Sequence, residues 1–395
     1  MSNNLVKFCV KCVESNQRFL GSVTHEDKKD RAQTRTSFDE KQVCSACLYY
    51  EYKKKIDWGK REKELIEILD QYRRDDGGYD VIVPGSGGKD SIFVAHTLKH
   101  KYKMNPLTCT WAPHMYTDVG WRNYIQWVDS GYDNFFHKPD GNVHRKLTRL
   151  SFKNLLHPFQ PFAQGQVYFP LRMALEKKIK LVIYGDSQAE RGSGGNLHSF
   201  NNKFLSQALY TYKNEDDLYY GGYSLKELKK FGIHKKDLNP YLPLKEKDFQ
   251  GGEIKVLQLP YFINYNPQSN FYFAKEKTNF EVNPDGRSEG TYTKYSSLDD
   301  KIDGLHHYTW FIKTGRGRAT EDAALEIRND IITRDEGIAL VKKYDGEFPK
   351  LYFKEILEYL DMSEKEFTET IDKFRPKNIW KKNGSEWELK NAVWK

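Results

Sequence analysis

The sequence is poor in cysteine and has no long apolar run. Five cysteines among 395 residues are too few for the disulfide framework of a small secreted scaffold. No stretch reaches the roughly 18 consecutive apolar residues that a membrane-spanning helix needs. The N-terminus reads MSNNLVKFCV and lacks a basic region followed by an apolar one. We therefore predict no signal peptide, no membrane partner and a cytoplasmic location.

The composition that is present predicts a folded protein of more than one unit. Hydrophobic residues make up 38% of the chain and aromatic residues 14%, which excludes a disordered chain and is enough for a sizeable core. The length predicts two or three structural units. The net charge of +8 suits anionic substrates such as nucleotides and also suits RNA. The alternative is a solubility charge without a partner.

Strand and helix patterns alternate through the middle of the chain. Short apolar runs are separated by amphipathic stretches, which is typical of a parallel sheet with helices on both faces. The predicted strands cover 79–84, 106–111, 133–137 and 181–185. We therefore predict an α/β fold with a doubly wound, Rossmann-like parallel sheet.

The same patterns divide the chain into three segments. Residues 1–55 hold four of the five cysteines, 56–307 hold the sheet, and 308–395 are predicted to be helical. The stretch from about 200 to 300 is rich in Tyr, Asn, Gly and Pro, and we interpret it as an irregular insertion. In the last segment Thr333 begins a capping box, and Thr320 precedes acidic residues that favour a helix start.

The glycine turn after the first predicted strand indicates nucleotide binding. Glycines let the backbone approach a phosphate, and the helix that follows offers free N–H groups and the positive end of its dipole. Lys89 adds a positive charge, and Asp90 is a candidate magnesium ligand. The residues predicted to hold the nucleotide are Ser86, Gly87, Gly88, Lys89, Asp90 and Ser91. The alternative is a glycine-rich turn of chance composition.

This turn, SGGKDS, resembles the motif of the PP-loop ATP pyrophosphatases. The resemblance implies that ATP is cleaved between its α and β phosphates, with Lys89 and Asp90 as catalytic residues. It also implies that the end of the fourth strand touches the nucleotide through Gly185, with Asp186 and Glu190 holding magnesium or orienting a nucleophile. Thr110, near the end of the second strand, is a candidate to cover the adenine. A solvated loop is the alternative for 185–190.

Two CxxC pairs near the N-terminus predict a metal site. A pair of thiolates from each tight turn can form a closed, structural four-thiolate zinc site. The ligands would be Cys9, Cys12, Cys44 and Cys47. An iron–sulfur cluster is the main competitor, and two unrelated reduced pairs are the other alternative. The remaining cysteine, Cys109, lies in an apolar strand and is predicted to be a core residue.

The C-terminal half resembles the N-acetyl sugar amidotransferases of bacterial surface-polysaccharide and nonulosonic-acid pathways. The motifs that carry the resemblance, together with the cysteines and SGGKDS, are KTGRGRAT, EIR and YDGEFP. Within the first of these, Arg316 and Arg318 are candidate substrate cations, since guanidinium groups suit a diphosphate or a carboxylate; the alternative is a solvated basic turn. One departure concerns Asp186, because the family pattern predicts Gly-Glu-Asn where this chain has Gly-Asp-Ser.

The resemblance implies a concrete reaction and partners. The acetamido oxygen of a sugar attacks the α phosphate of ATP, and ammonia then displaces AMP to give an acetamidino sugar. Magnesium would accompany the ATP. The ammonia would come from a separate glutaminase of the histidine-biosynthesis type, with a cyclase-like barrel subunit as a further partner. Nucleic acid is not an expected partner.

Two other functions stay open at this point. The first is a PP-loop tRNA thiolase, although such enzymes need more cysteines near the active site than Cys109 provides. The second is a non-catalytic nucleotide-binding scaffold, which would hold ATP without forming pyrophosphate.

Overall fold

A computed structural model describes residues 6–17, 19–20, 28–29, 34–186, 203–249 and 254–395. Within these ranges, no helix combines the length and the apolar character needed to cross a bilayer. The α-helices are α1 (Ser45–Lys53), α2 (Trp58–Asp70), α3 (Lys89–His96), α4 (Asp118–Asp129), α5 (Gly141–Leu155), α6 (Gln160–Glu176), α7 (Leu225–Leu228), α8 (Pro267–Thr278), α9 (Asp303–Thr314), α10 (Arg318–Arg328), α11 (Arg334–Tyr344), α12 (Phe353–Leu360) and α13 (Glu364–Lys373). The strands are β1 (Phe19–Leu20), β2 (Thr34–Arg35), β3 (Val81–Pro84), β4 (Pro106–Trp111), β5 (Asn134–His137), β6 (Leu181–Tyr184), β7 (Thr211–Tyr212), β8 (Tyr219–Tyr220), β9 (Tyr223–Ser224), β10 (Leu244–Lys245), β11 (Lys255–Gln258), β12 (Trp380–Asn383) and β13 (Glu386–Leu389).

A five-stranded parallel sheet forms the centre of the protein. Its strand order is β11-β6-β3-β4-β5, and every pairing within it is parallel. The chain therefore starts in the middle, runs to one edge and returns to build the other, as in a doubly wound sheet. The order reverses between β3 and β6, and open α/β sheets bind ligands at this switch point. The prediction of a doubly wound α/β fold is confirmed.

Alternating residues of β3 explain why helices cover both faces of the sheet. Val81 and Val83 pack in one core with residues of α3, α4 and α8. Ile82 faces the other way and packs in a second core with Leu171 of α6. All three strand residues are fully buried. Successive side chains of a strand point to opposite faces of the sheet. Because apolar residues point to both faces here, both faces must be covered by other elements.

The least well predicted stretch contains the fifth strand. Strand β11 and helix α8 both lie between residues 200 and 300, which the sequence pattern suggested only as an irregular insertion. The strand pairs with β6 in parallel register, Val256 opposite Val182. Because β11 is only four residues long, its pairing depends on the edge that β6 presents. The rest of this stretch forms short strands and 3-10 turns.

The C-terminal segment is helical but begins and ends differently from the prediction. Helix α9 starts at Asp303, so the predicted boundary at 308 falls inside a helix. Helix α10 starts at Arg318, which places Thr320 in its first turn rather than before it. The capping box of Thr333 and Glu336 is confirmed at the start of α11. An antiparallel hairpin, β12–β13, follows the last helix.

Histidines in the interior make the fold sensitive to acid. Burial lowers the pKa of His144 and His157 and lowers the pKa of His306 to about 3. In the unfolded chain these groups take up protons below pH about 6.5. The unfolded state therefore binds more protons as the pH falls from 6.5 toward 3, and the folded state loses stability over that window.

We expect the free energy of unfolding to fall by roughly 1 kcal/mol per buried histidine for each pH unit below about 6. Urea titrations at a series of pH values between 7.5 and 5 would measure this slope. His306→Gln should reduce the slope, whereas the same change at the exposed His100 should leave it nearly unchanged. A free energy of unfolding that stays level down to pH 5 would contradict the prediction.

Candidate functional site

The glycine turn joins β3 to α3 at the switch point of the sheet. Gly87 has a φ of +84°, and a Cβ there would lie 2.6 Å from the Cα atom of Tyr124. Only glycine fits both the left-handed backbone and this close approach. Gly88 is the N-cap of α3 and has no side chain to satisfy the first N–H groups of the helix. These groups are available to an anion such as a phosphate.

The two charged residues of the turn neutralise each other. The Nζ atom of Lys89 lies 2.6 Å from Oδ2 of Asp90. The other carboxylate oxygen of Asp90 accepts hydrogen bonds from the Tyr265 hydroxyl and the Asn270 amide, each at 3.0 Å. Ser91 donates a hydrogen bond to the carbonyl of Gly88, at 2.9 Å. The Asp90 carboxylate is therefore held in a defined orientation at the start of α3.

The end of β6 lies directly against this turn. A Cβ on Gly185 would lie 3.0 Å from the carbonyl oxygen of Asp90 and 2.7 Å from a methyl group of Val94. The absence of a side chain at Gly185 therefore allows β6 and α3 to approach each other. Asp186 follows and is exposed. Glu190, the other predicted carboxylate of this loop, lies outside the described residues.

Gly185→Ala is expected to destabilise the protein by roughly 1–3 kcal/mol, because overpacking at this contact forces β6 and α3 apart. Equilibrium unfolding in urea would measure the loss. Gly141→Ala is the matched control, since a Cβ there meets no atom within 4 Å. Equal stability of the two variants would show that the contact at Gly185 is not tight.

A narrow cleft opens above the turn, and the space that the centre of a water molecule could occupy in it is about 40 Å³. Three of the predicted site residues line it: Lys89 from the turn, Asp186 from the end of β6 and Arg318 from the start of α10. Tyr265 and Tyr295 add aromatic walls. The sheet and the C-terminal helices thus contribute to one cleft, although their residues lie more than a hundred positions apart in the chain.

The C-terminal wall of the cleft carries carboxylates with defined partners. Asp322 accepts a hydrogen bond from Arg318 at 3.0 Å and one from the Thr291 hydroxyl at 2.5 Å. Glu326 accepts one from the Tyr292 hydroxyl at 2.6 Å. Burial raises the pKa of Glu326, and the tyrosine hydrogen bonds act against this rise. A raised pKa makes a carboxylate a better proton acceptor.

Asp299 also reaches the glycine turn. Burial raises the pKa of this carboxyl group, and a hydrogen bond from the Ser86 hydroxyl acts against the rise. A Cβ on Gly120 would lie 2.4 Å from the Cα atom of Asp299, so the segment is packed closely onto α4. The structure therefore places the Asp299 carboxyl group beside Ser86 of the turn.

Two predicted site residues lie elsewhere and need correction. Thr110 is fully buried in β4, where its hydroxyl accepts a hydrogen bond from Asn134 at 3.1 Å. Arg316 is 2% exposed and forms a buried ion pair with Glu14 at 2.8 Å. Because this ion pair joins the C-terminal segment to the cysteine segment, Arg316 has a structural role and does not contact the cleft. Of the two arginines, Arg318 lines the cleft.

The four N-terminal cysteines come together as predicted. All four are buried, and their sulfur atoms lie within 4.8 Å of one another. Cys9 and Cys47 are 3.8 Å apart, and Cys12 and Cys44 are 3.7 Å apart. A tetrahedral site with metal–sulfur bonds of about 2.3 Å separates its sulfur atoms by about 3.8 Å. The donor set and its spacing therefore fit a four-thiolate metal site.

Hydrogen-bond donors surround these sulfur atoms. Backbone N–H groups of Lys11, Glu14 and Cys44 point at the sulfurs of Cys9 and Cys12 over 3.3–3.5 Å. The buried Arg328 places a guanidinium nitrogen 3.9 Å from the sulfur of Cys12. Four thiolates around a divalent ion leave an excess negative charge. A buried cation and several N–H donors are the partners that such a charge needs.

Several residues of the cleft carry no sequence signal. Tyr265 and Tyr295 lie in the stretch without a recognisable pattern. Glu326 belongs to the EIR motif, but the motif does not indicate that this side chain lines the cleft. Residues so far apart meet only after the chain has folded, and a single sequence does not reveal such pairs.

Comparison with known proteins finds a match for the C-terminal segment. Residues 289–393 match the family model described as LPS biosynthesis protein WbpG-like, C-terminal domain. The uncharacterized protein MJ1599 of Methanocaldococcus jannaschii is 36% identical over 80 residues, which is 20% of this chain and 28% of that protein. The matched part thus spans less than a third of this relative.

Among solved structures, the U34-tRNA thiolase NcsA from Methanococcus maripaludis with its [4Fe-4S] cluster is similar over 80% of this chain and 88% of that chain. The sequence identity is 14% and the TM-score 0.29, which is too low to support an argument about fold or function. The fold assignment depends on the sheet order and the turn described above. The chain thus combines a doubly wound parallel sheet, which carries the SGGKDS turn, with a C-terminal segment that matches the model of the WbpG-like family.

Proposed function

We propose that this protein is an ATP-dependent amidotransferase that converts the N-acetyl group of a sugar, carried on a nucleotide, to an acetamidino group. The observation that carries the proposal is the shared cleft, in which Lys89 of the glycine turn faces Arg318 of the WbpG-like domain. One wall suits the phosphates of ATP. The other belongs to a domain of LPS biosynthesis proteins, which supports a sugar as the second substrate.

The turn provides the groups that a departing pyrophosphate needs. The N–H groups at the start of α3 and the ammonium group of Lys89 would stabilise the developing negative charge. For this, Lys89 exchanges its contact with Asp90 for one with phosphate oxygens. The carboxylate released in this way, together with that of Asp186, would hold Mg²⁺. When bound there, this ion would neutralise charge on the ATP phosphates.

The chemistry on the sugar balances without an oxidant or reductant. The acetamido oxygen attacks the α phosphorus, and pyrophosphate leaves. Ammonia then adds to the imidate carbon, and the original oxygen departs with AMP. The nitrogen must lose a proton in this step. Glu326 is placed to receive it, because it lines the cleft and burial raises its pKa.

The source of ammonia and the choice of metal are part of the proposal. We propose a separate glutaminase of the histidine-biosynthesis type as the ammonia donor, with a cyclase-like barrel subunit as a further partner. For the cysteine site we propose zinc. The sulfur spacing of 3.7–3.8 Å suits a single ion, whereas a cluster inserts several iron and sulfide atoms between its thiolates and needs a wider cage.

The state of Cys109 argues against sulfur transfer. It is the one cysteine outside the metal site, it is 1% exposed, and burial raises the pKa of its thiol. A sulfur carrier needs an accessible thiolate. A tRNA thiolase is therefore the weaker alternative, and a scaffold that binds ATP without cleaving it is the other.

Pyrophosphate release from ATP tests the proposal. The assay contains ammonium chloride and a panel of nucleotide-linked N-acetyl sugars, with bulk tRNA as a parallel substrate. We expect release that depends on one sugar, and mass spectrometry should show a product in which NH has replaced oxygen. Release with tRNA alone would identify a thiolase. ATP binding without release under any condition would support the scaffold and overturn the proposal.

A further inference from the structure

A buried lysine connects the cysteine site to the glycine turn. Helix α1 begins directly after Cys44 and contains Cys47, and Lys53 is its last residue. Lys53 is 5% exposed, and its ammonium group donates a hydrogen bond to the carbonyl of Tyr265 at 2.7 Å. It also lies 4.7 Å from the ring centre of Tyr50. Burying an ammonium group costs free energy, so these contacts restrain both partners.

Tyr265 passes this restraint to the site. Its backbone carbonyl is held by Lys53, and its hydroxyl donates a hydrogen bond to Oδ1 of Asp90 at 3.0 Å. The next residue, Asn266, caps α8 by accepting hydrogen bonds from two backbone N–H groups. On the same helix, Asn270 donates the second hydrogen bond to Oδ1 of Asp90. One short segment therefore orients this carboxylate.

A second contact ties the same segment to the cysteine helix. The Asn266 amide lies 3.3 Å from the side-chain oxygen of Asn329. Asn329 in turn donates a hydrogen bond to the hydroxyl of Tyr50 on α1, at 2.8 Å. Asn329 directly follows Arg328, whose guanidinium group contacts Cys12. Helix α1 and the end of α10 thus hold residues 265–270 from two sides.

We propose that the four-cysteine centre positions the Asp90 carboxylate, with Lys53 and Tyr265 as the positioning residues between them. The metal fixes the start of α1, α1 fixes the Tyr265 carbonyl through Lys53, and Tyr265 orients Asp90. This inference depends on the proposed function only in treating Asp90 as a ligand of the magnesium bound with ATP. The connection between the cysteine centre and the turn can be measured without that assumption.

The first experiment compares Tyr265→Phe and Lys53→Met with the wild type, all with metal bound. Its readout is the Mg²⁺ concentration that gives half-maximal binding of α,β-methylene ATP, an analogue that is not cleaved at the relevant bond. Loss of a group that orients a metal-binding carboxylate typically weakens metal affinity by at least 10-fold. We expect an increase of roughly 10-fold in this concentration for both variants. Tyr272→Phe and Lys54→Met are the controls, because both side chains are exposed neighbours.

The second experiment measures amide hydrogen exchange of residues 88–92, with no nucleotide present. We expect faster exchange in Lys53→Met than in Lys54→Met at equal metal content. In the wild type, removal of the metal should accelerate exchange at the same residues, and in Lys53→Met it should add less, since one of the two contacts between α1 and this segment is already broken. If the test variants match their controls in exchange, the proposal is overturned. If none of the proteins binds the nucleotide analogue, the proposed function is contradicted. The hydrogen-exchange result then still shows whether the cysteine centre and the glycine turn are connected.

Discussion

Replacing Lys89 with methionine should lower the rate of pyrophosphate formation by roughly 10²–10³-fold, the usual cost of removing a group that stabilises transition-state charge. Methionine keeps most of the side-chain length and removes the ammonium group. It also leaves the Asp90 carboxylate without the cation that lies 2.6 Å away in the wild type. Initial rates at saturating ATP would measure the effect on kcat.

Lys101→Met is the control for this prediction. Lys101 lies at the end of the π-helical turn that continues α3, and its side chain is 55% exposed beside Glu62. Exposed ion pairs contribute little to stability, so this variant should keep both its fold and its rate. If the Lys89→Met variant forms pyrophosphate at the control rate, the turn is not part of the active site.

Replacing Cys44 with serine should remove the metal and unfold the N-terminal segment. Structural zinc contributes about 10–16 kcal/mol of apparent binding free energy in small zinc-finger peptides, and this segment has little apolar content of its own. Since Arg316 pairs with Glu14 and Arg328 contacts Cys12, both arginines would lose buried partners. We therefore expect the C-terminal helices to lose stability as well.

Metal analysis and thermal unfolding would check this result. The wild type should contain about one zinc ion per chain, as a closed four-thiolate site requires, and Cys44→Ser should contain almost none. Cys109→Ala serves as the control, because Cys109 lies in the core of the sheet and outside the site. Full zinc content in Cys44→Ser would contradict the predicted ligand set. Detection of iron and sulfide in the wild type would show that the cysteines hold an iron–sulfur cluster instead of zinc.

Local patterns in the sequence were sufficient to predict the sheet, the glycine turn and the four-cysteine cluster. Strands β3, β4, β5 and β6 lie where apolar runs of strand length predict them, to within two residues at each end. The SGGKDS turn lies at the switch point, as its strand–turn–helix context requires. The CxxC pairs converge despite the long loop between them. In each case the signal is carried by residues close together in the chain.

The incorrect predictions concern residues whose role depends on partners that are distant in the sequence. Arg316 and Arg318 are two positions apart with the same side chain, yet Arg316 faces the buried Glu14 and Arg318 faces the cleft. Thr110 is near the end of its strand, but its hydroxyl is directed to Asn134 on the neighbouring strand. Neither outcome could follow from spacing, since both depend on which element packs alongside.

By itself, the sequence determined the class of fold, the glycine turn at the switch point and the four-cysteine cluster. These depend on alternation, helix capping and short motifs, all of which act over a few residues. Only the tertiary structure decided that Arg318, Glu326 and Tyr265 share the cleft with Lys89, and that Arg316 does not. The physical reason is that burial and charge pairing are properties of packed surfaces, and packing brings together residues that the chain keeps hundreds of positions apart.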